Sequence, residues 1–220
     1  MATRLTDETW RLDLGSVNAY LLDREETVLV DAGTPRSADA VRSGLSDAGV
    51  GVGDLDGVLV THFDVDHVGA LGRLALDCPI HVPEPDRSYL LGDAGPPWSQ
   101  KGVLQRLLRL PVRAPDAPVE TVADGDVVAG LTAYRAPGHT EGHTVYADDG
   151  VAFLGDAVAA DGGVLSPVGW FLNENTAQAR ASVVALAGRL PAFETAAMGH
   201  GDPLATGGHG ALASLAAELR

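Results

Sequence analysis

The sequence predicts an α/β fold in one domain spanning residues 1–220, and three observations carry that expectation. Apolar runs of strand length, such as Val58-Leu59-Val60 and Val151-Ala152-Phe153-Leu154, repeatedly end in loops rich in Gly, Asp and His. Two longer stretches, 37–48 and 176–190, carry apolar residues at helical spacing. The chain has 220 residues, 45% hydrophobic and 20% charged, which is a globular balance and enough length for one substantial core.

Taken in order, Trp10–Leu14 and Val17–Leu22 alternate as two strands joined at Gly15-Ser16. Thr27–Val30 is a third strand and runs into Asp31-Ala32-Gly33-Thr34-Pro35. Ser37 opens a helix to Ala48, with Ala40, Val41, Leu45 and Ala48 on one face. Residues 54–60 lead in as a buried strand, and 68–76 read as a short helix. Cys78–Val82 is a strand, followed by the turn Pro83-Glu84-Pro85-Asp86. Cys78 is the only cysteine, so no internal disulfide can form, and with no local motif around it, it reads as a core or strand-edge residue and not as a nucleophile. Residues 92–118 are the least regular part: Gly95-Pro96-Pro97-Trp98 is loop and Val103–Leu110 a short amphipathic helix. Val119–Val122 and Val127–Ala136 flank the turn Asp124-Gly125-Asp126. Thr144–Ala147 and Val151–Leu154 form a hairpin over Asp148-Asp149-Gly150. Thr176–Leu190 is the clearest amphipathic helix, Ala196–Met198 a last strand, and 210–220 helical.

The chemistry concentrates in Thr61-His62-Phe63-Asp64-Val65-Asp66-His67-Val68-Gly69, on a strand-to-helix turn. His62 and Asp64 are two apart and point the same way while the chain is extended. Asp66 and His67 lie where it turns and approach the same point from another side. Imidazoles and carboxylates so placed are ligands for zinc and other first-row dications. His139, Asp156 and His200 close other strands, in Gly138-His139, Gly155-Asp156 and Gly199-His200-Gly201, so four strand ends deliver such groups. Asp31 ends a strand too, either as a turn acid or as an acceptor that fixes a ligand histidine. His81 reads as a structural histidine and His209 as a surface one.

Net charge is -15, and Lys101 is the only lysine. That charge repels nucleic acid and anionic membranes. An Asp-rich, Lys-poor balance is expected of a salt-loving source, where counterions screen self-repulsion. No apolar run reaches the length of a membrane span and the N-terminus lacks a signal peptide's apolar core, so a cytoplasmic protein is expected. Lys101, Arg106, Arg109 and Arg113 form the one basic cluster. It is either a solvated helix face or part of a lid over the site at 92–118, offering Arg106 and Arg109 to an anionic substrate and Trp98 as an apolar wall.

Through Val28-Leu29-Val30-Asp31-Ala32-Gly33, Thr61-His62-x-Asp64-x-Asp66-His67-x-Gly69, Pro137-Gly138-His139-Thr140, Gly155-Asp156 and Gly199-His200-Gly201, the chain resembles the metallo-β-lactamase superfamily over nearly its whole length. The resemblance implies a four-layer αββα sandwich with two metals at one edge. It implies that His62, Asp64 and His139 hold the first ion, that Asp66, His67 and His200 hold the second, and that Asp156 bridges them. Asp31 matches the family's acid behind the ligands; His143 matches a position that is not usually a ligand and is either substrate-facing or structural.

Asp64 is the departure, since the family's usual motif has His there. A carboxylate reaches less far than the outer nitrogen of His, so the first ion is expected closer to the strand or one ligand short. Two dications balanced by Asp64, Asp66, Asp156 and a bridging hydroxide leave no net formal charge, which weakens polarisation of a carbonyl and of bound water. Oxygen ligands also tilt preference from zinc, the first expectation, toward manganese or iron. The family implies hydrolysis by a metal-bound hydroxide, with Asp66 also orienting the nucleophile. The Pro-Gly-His-Thr-x-Gly-His pattern is most similar to the glyoxalase II-like branch, which implies a small ester-like substrate, a thioester or lactone. The chain ends soon after Gly201, without the C-terminal helical region with which glyoxalase II holds glutathione, so a thioester substrate need not be a glutathione one. A mononuclear iron enzyme resembling the sulfur dioxygenases and a non-catalytic metal-binding module are the alternatives.

Overall fold

Alternation along the strands decides the layers. The structure, a computed structural model, describes residues 1–95 and 112–220. The first sheet follows chain order: β1 (Ala2–Arg4), β2 (Thr9–Asp13), β3 (Asn18–Asp23), β4 (Thr27–Val30), β5 (Gly57–Leu59), β6 (Ile80–Pro83) and β7 (Val119–Val122). Pairing is antiparallel from β1 to β4 and parallel from β4 to β7. The second sheet contains β8 (Val127–Val128), β9 (Leu131–Arg135), β10 (Thr144–Ala147), β11 (Val151–Gly155) and β14 (Thr195–Met198), in the order β14-β11-β10-β9-β8, with β14 parallel to β11. A separate hairpin, β12 (Val158–Asp161) and β13 (Val164–Pro167), follows β11.

On β3, Tyr20 and Leu22 face the second sheet while Ala19 and Leu21 join the cluster under the first sheet's helices. On β11, Val151 and Phe153 face the first sheet while Ala152 and Leu154 face the other way. Strand residues alternate between faces, so each sheet is buried on both. Helix α1 (Ala38–Asp47) covers the first sheet with Val41 and Leu45. Helices α4 (Thr176–Arg189) and α5 (Gly208–Glu218) cover the second with Val183, Leu186, Leu212 and Leu215. The order of layers is therefore αββα, as expected. Two short helices complete the set: α2 (Val65–Val68) and α3 (Asp86–Leu91).

Several expectations are corrected. The helix expected over 68–76 is the single turn α2 and a 3-10 turn at Leu71–Arg73. It starts early because the Asp64 carbonyl accepts from the amides of His67 and Val68. It stops early because Gly69 is wedged against Pro35 and Ala75 adopts a positive φ of 53°. The strand expected over Val127–Ala136 is broken into β8 and β9 by Ala129 and Gly130, both at positive φ. Helix α4 forms, but its fully buried stripe is narrow. Strand β1, helix α3 and the β12–β13 hairpin had no counterpart in the sequence reading. His209 is half-buried rather than superficial, with its ring edge-on to Phe193 at 5.5 Å. Cys78 is buried in the core, and His81 lies on β6 with Nδ1 3.8 Å from Glu120. Trp98, Lys101, Arg106, Arg109 and the helix expected at Val103–Leu110 lie outside the described residues, as does most of the lid segment.

Candidate metal centre

The C-terminal ends of parallel strands supply most of the polar groups at one edge of the sandwich. Asp31 follows β4, the 62–67 loop follows β5, Asp156 follows β11 and His200 follows β14; His139 comes from the loop between β9 and β10. In α/β sheets such strand ends are where chain leaves the hydrogen-bonded layer and ligands gather.

Two groups form. His62, Asp64, His139 and Asp156 present ligand atoms within 4.8 Å of one another, and so do Asp66, His67 and His200. In the first group Asp64 Oδ2 is 3.4 Å from His62 Nε2 and 3.0 Å from His139 Nε2, which is 3.3 Å from Asp156 Oδ2. In the second, His200 Nε2 is 3.5 Å from Asp66 Oδ2. Asp156 touches both groups, reaching His67 Nε2 through Oδ1 and His200 Nε2 through Oδ2, each at 3.4 Å. Asp64 thus reaches the cluster without a missing ligand. Its Oδ2 is two bonds from Cβ, as the inner nitrogen of an imidazole is and one fewer than the outer nitrogen, and at that shorter reach it still lies in the cluster.

The histidine rings are held from behind. His67 Nδ1 donates to Asp31 Oδ2 at 2.8 Å, and His200 Nδ1 donates to the Ser16 carbonyl at 2.7 Å. His139 Nδ1 lies 3.2 Å from Asn173 Oδ1. Thr61 Oγ1 donates to Asp31 Oδ2 at 2.7 Å, which leaves it to accept from His62 Nδ1 at 3.0 Å. With a proton on each Nδ1, all four rings turn an Nε2 lone pair toward the same space. Asp31 itself sits at a positive φ of 58°, a costly conformation for a residue with a side chain. Gly199 admits no side chain, since a Cβ there would lie 2.2 Å from Asp156 Oδ1.

These donors fit a metal. His62 Nε2, His67 Nε2 and Asp156 Oδ1 are buried without a hydrogen-bond partner, an arrangement that costs free energy unless a cation satisfies it. Ligands held tetrahedrally at about 2.1 Å from one ion lie about 3.4 Å apart, which is the spacing seen.

The electrostatics agree. Burial lowers His62 to about 4, with the charge of His67 adding to the effect. Burial acts downward on His67 as well, but Asp156 and Asp31 outweigh it and hold it well above its ordinary value. Bonds to Asp156 and Asp66 raise His200 to about 10. Burial would lift Asp156, yet His67 and His200 hold it well below the usual carboxylate range. The pocket is one that retains positive charge, and protons compete for it with metal.

His143 is fully buried, and its Nε2 accepts from the Asp156 amide at 3.1 Å. Asp86, Thr61 and Asn173 entered no expectation for the site. Hydroxyl, amide and lone acidic residues beside a strand end carry no spacing signal; only Pro83-Glu84-Pro85-Asp86 stood out, as a turn.

The family model of the metallo-beta-lactamase superfamily matches residues 12–217. The chain belongs to the metallo-beta-lactamase superfamily. It is 31% identical over 208 residues to a probable metallo-hydrolase, YflN, of Bacillus subtilis strain 168, covering 80% of this chain and 76% of that one. Among solved structures it is similar to the metallo-beta-lactamase family protein TTHA1429 from Thermus thermophilus, with TM-score 0.70, 26% identity, and 98% and 79% of the two chains covered. It is also similar to TTHA1623, solved in a di-iron-bound form, with TM-score 0.65, 26% identity, and 90% and 93% covered. The protein is accordingly an enzyme of the metallo-hydrolase type found in the metallo-beta-lactamase superfamily, with a candidate metal site at one edge of its sandwich.

Proposed function

We propose that the chain is a single-domain, two-metal hydrolase of a small ester-like substrate, a thioester or lactone. One observation carries the reading: two sets of three side chains, both in reach of Asp156, are spaced as ligands of two ions. His62, Asp64 and His139 would hold the first ion and Asp66, His67 and His200 the second. Bound dications would supply a water of lowered pKa and a Lewis acid for the carbonyl oxygen.

The chain's own residues do the rest. Asp31 and Ser16 fix the tautomers of His67 and His200, so that Nε2 and not Nδ1 faces the site. Asp66 is the most open carboxylate of the set, its side chain 38% exposed. Its oxygens are placed to accept a hydrogen bond from an incoming nucleophile and to aim it. Burial pushes Asp66 up, but its bond to His200 and the charge of His67 bring it below the usual carboxylate range, so it is ionised at neutral pH. Three carboxylates favour harder ions than a histidine-rich site would, so manganese or iron competes with zinc; TTHA1623, 26% identical, was itself solved in a di-iron-bound form. A net charge of -15 argues against nucleic acid as substrate. No helix among the described residues is long and apolar enough to cross a membrane.

Metal analysis of protein purified without chelators, followed by anaerobic assay of a thioester and lactone panel, tests the reading. The expected result is two ions per chain and turnover abolished by chelation. One iron per chain with oxygen uptake would replace the hydrolase with an oxidative enzyme, and no turnover with any metal would leave a binding module.

A further inference from the structure

Asp86 is a fully buried carboxylate that belongs to neither ligand set. It opens helix α3, immediately after the turn Glu84-Pro85. Its Oδ2 accepts from the Phe63 amide at 2.7 Å and from Thr140 Oγ1 at 2.9 Å, and its Oδ1 accepts from the Gly142 amide at 3.1 Å. Phe63 stands between His62 and Asp64, and Thr140 follows His139. One carboxylate therefore grips both loops that supply the first ion's ligands. The approach is tight enough to dictate sequence: a Cβ on residue 142 would lie 2.3 Å from Asp86 Oδ1, so only glycine is accommodated. Arg135 repeats the stitch from outside, donating to the carbonyls of Glu84 and Glu141, each at 2.6 Å.

The rings of the second set are held by other groups, His67 by Asp31 and His200 by Ser16, although Asp31 also reaches His62 through Thr61. We infer that Asp86 is a positioning residue that sets the distance between the His62–Asp64 pair and His139, and so builds the first metal site selectively. The inference rests on the two-ion reading above and adds the prediction that the two sites come apart. Hydrogen bonds to a buried carboxylate are among the stronger ones, and partners behind metal ligands are worth about 10–100-fold in affinity. Removing this one is expected to act chiefly on the first ion, because Asp86 bonds both Phe63 and Thr140 beside first-ion ligands, whereas of the second ion's residues it reaches only the loop that carries Asp66 and His67.

The test titrates Co²⁺ into metal-free full-length protein, followed by visible absorption and by metal counted after dialysis. Wild type is expected to take up two ions. Asp86→Asn loses one acceptor and the charge, and is expected to weaken one ion by at least about tenfold while the other stays within about threefold of wild type. Should Asp86→Asn fail to fold, Thr140→Val removes one bond at nearly constant shape and is expected to weaken the same ion several-fold; Thr140→Ser, which keeps the hydroxyl, restores it. Two ions bound by these variants as in wild type, with only thermal stability lowered, would reduce Asp86 to packing. Equal weakening of both ions would also overturn the inference. Wild type binding fewer than two ions would instead overturn the two-ion reading, so the two failures are told apart.

Discussion

At the scale of the residue, Asp64 decides more than any other side chain. A histidine there would bring a neutral ligand; the aspartate brings a third carboxylate to the metal cluster, with Oδ2 3.0 Å from His139 Nε2. Because a carboxylate oxygen and an inner imidazole nitrogen lie at the same bond distance from Cβ, Asp64→His is expected to fold and to retain a first-site ion. Its affinity for zinc should rise by about tenfold relative to manganese, since nitrogen ligands suit the former and oxygen the latter. Competition between the two ions, followed by metal counting, checks the ratio; an unfolded variant would mean that Asp64 packs rather than ligates. The residues brought together here were legible in the sequence because each sits in a short motif at a strand end. Asp86 and Asn173 were not, since the site partners of their side chains lie 23 or more residues away, and neither was Thr61, which bonds its neighbour His62 but is fixed by Asp31, 30 residues away. Spacing along a chain reports what shares a loop, and these residues act between loops.

At the scale of the element, strands and long helices were readable, whereas short pieces set by tertiary contact were not. Helix α2 is one turn fixed by the Asp64 carbonyl and by Gly69 against Pro35, neither of which leaves a periodic trace. The β10–β11 turn was readable, and its chemistry is now explicit. Asp148 Oδ1 accepts from the amides of Gly150 and Val151, each at 2.8 Å, while Oδ2 pairs with Arg24, which also binds Glu8 at 2.6 Å. The turn thereby ties the second sheet to the first. Burial would raise Asp148, but the bonds to Arg24 and the two amides lower it. A carboxyl depressed in the folded state adds stability above its unfolded value, near 3.8, and loses it as pH falls through the lower folded value. Asp148→Asn is therefore expected to cost about 1 kcal/mol at pH 7, kept small by partial solvent screening. The gap from wild type should close as the pH is lowered below the folded value. Melting curves of both proteins from pH 7 to pH 2.5 measure the gap; a gap independent of pH would assign the cost to turn shape and not to charge.

At the scale of the whole molecule, two electrostatic effects oppose each other. Exposed pairs such as Arg42–Asp39 at 2.8 Å and Arg4–Asp7 at 3.0 Å weaken as salt is added. Each contributes only about 0–1 kcal/mol, so their loss is small. Against them stands the mutual repulsion of 30 acidic residues opposed by 15 basic ones, which salt relieves. The Debye length falls from about 10 Å at 0.1 M to about 3 Å at 1 M, well below the spacing between most surface charges but comparable to the 2.8–3.0 Å separation of these contact pairs. Repulsion among many charges at long range is thus screened more completely than attraction within a few close pairs. The melting temperature is accordingly expected to rise between 0.05 M and 2 M KCl by several degrees, at about 2–4 °C per kcal/mol for a chain of this size. The measurement should use metal-saturated protein, because metal release would add its own stability change. A variant with five exposed acids changed to Asn or Gln, leaving Asp64, Asp66 and Asp156 intact, should start higher at low salt and gain less from it. If both proteins melt at one temperature across the whole range, the surface charge plays no part in stability, and the expectation of a salt-adapted chain falls with it.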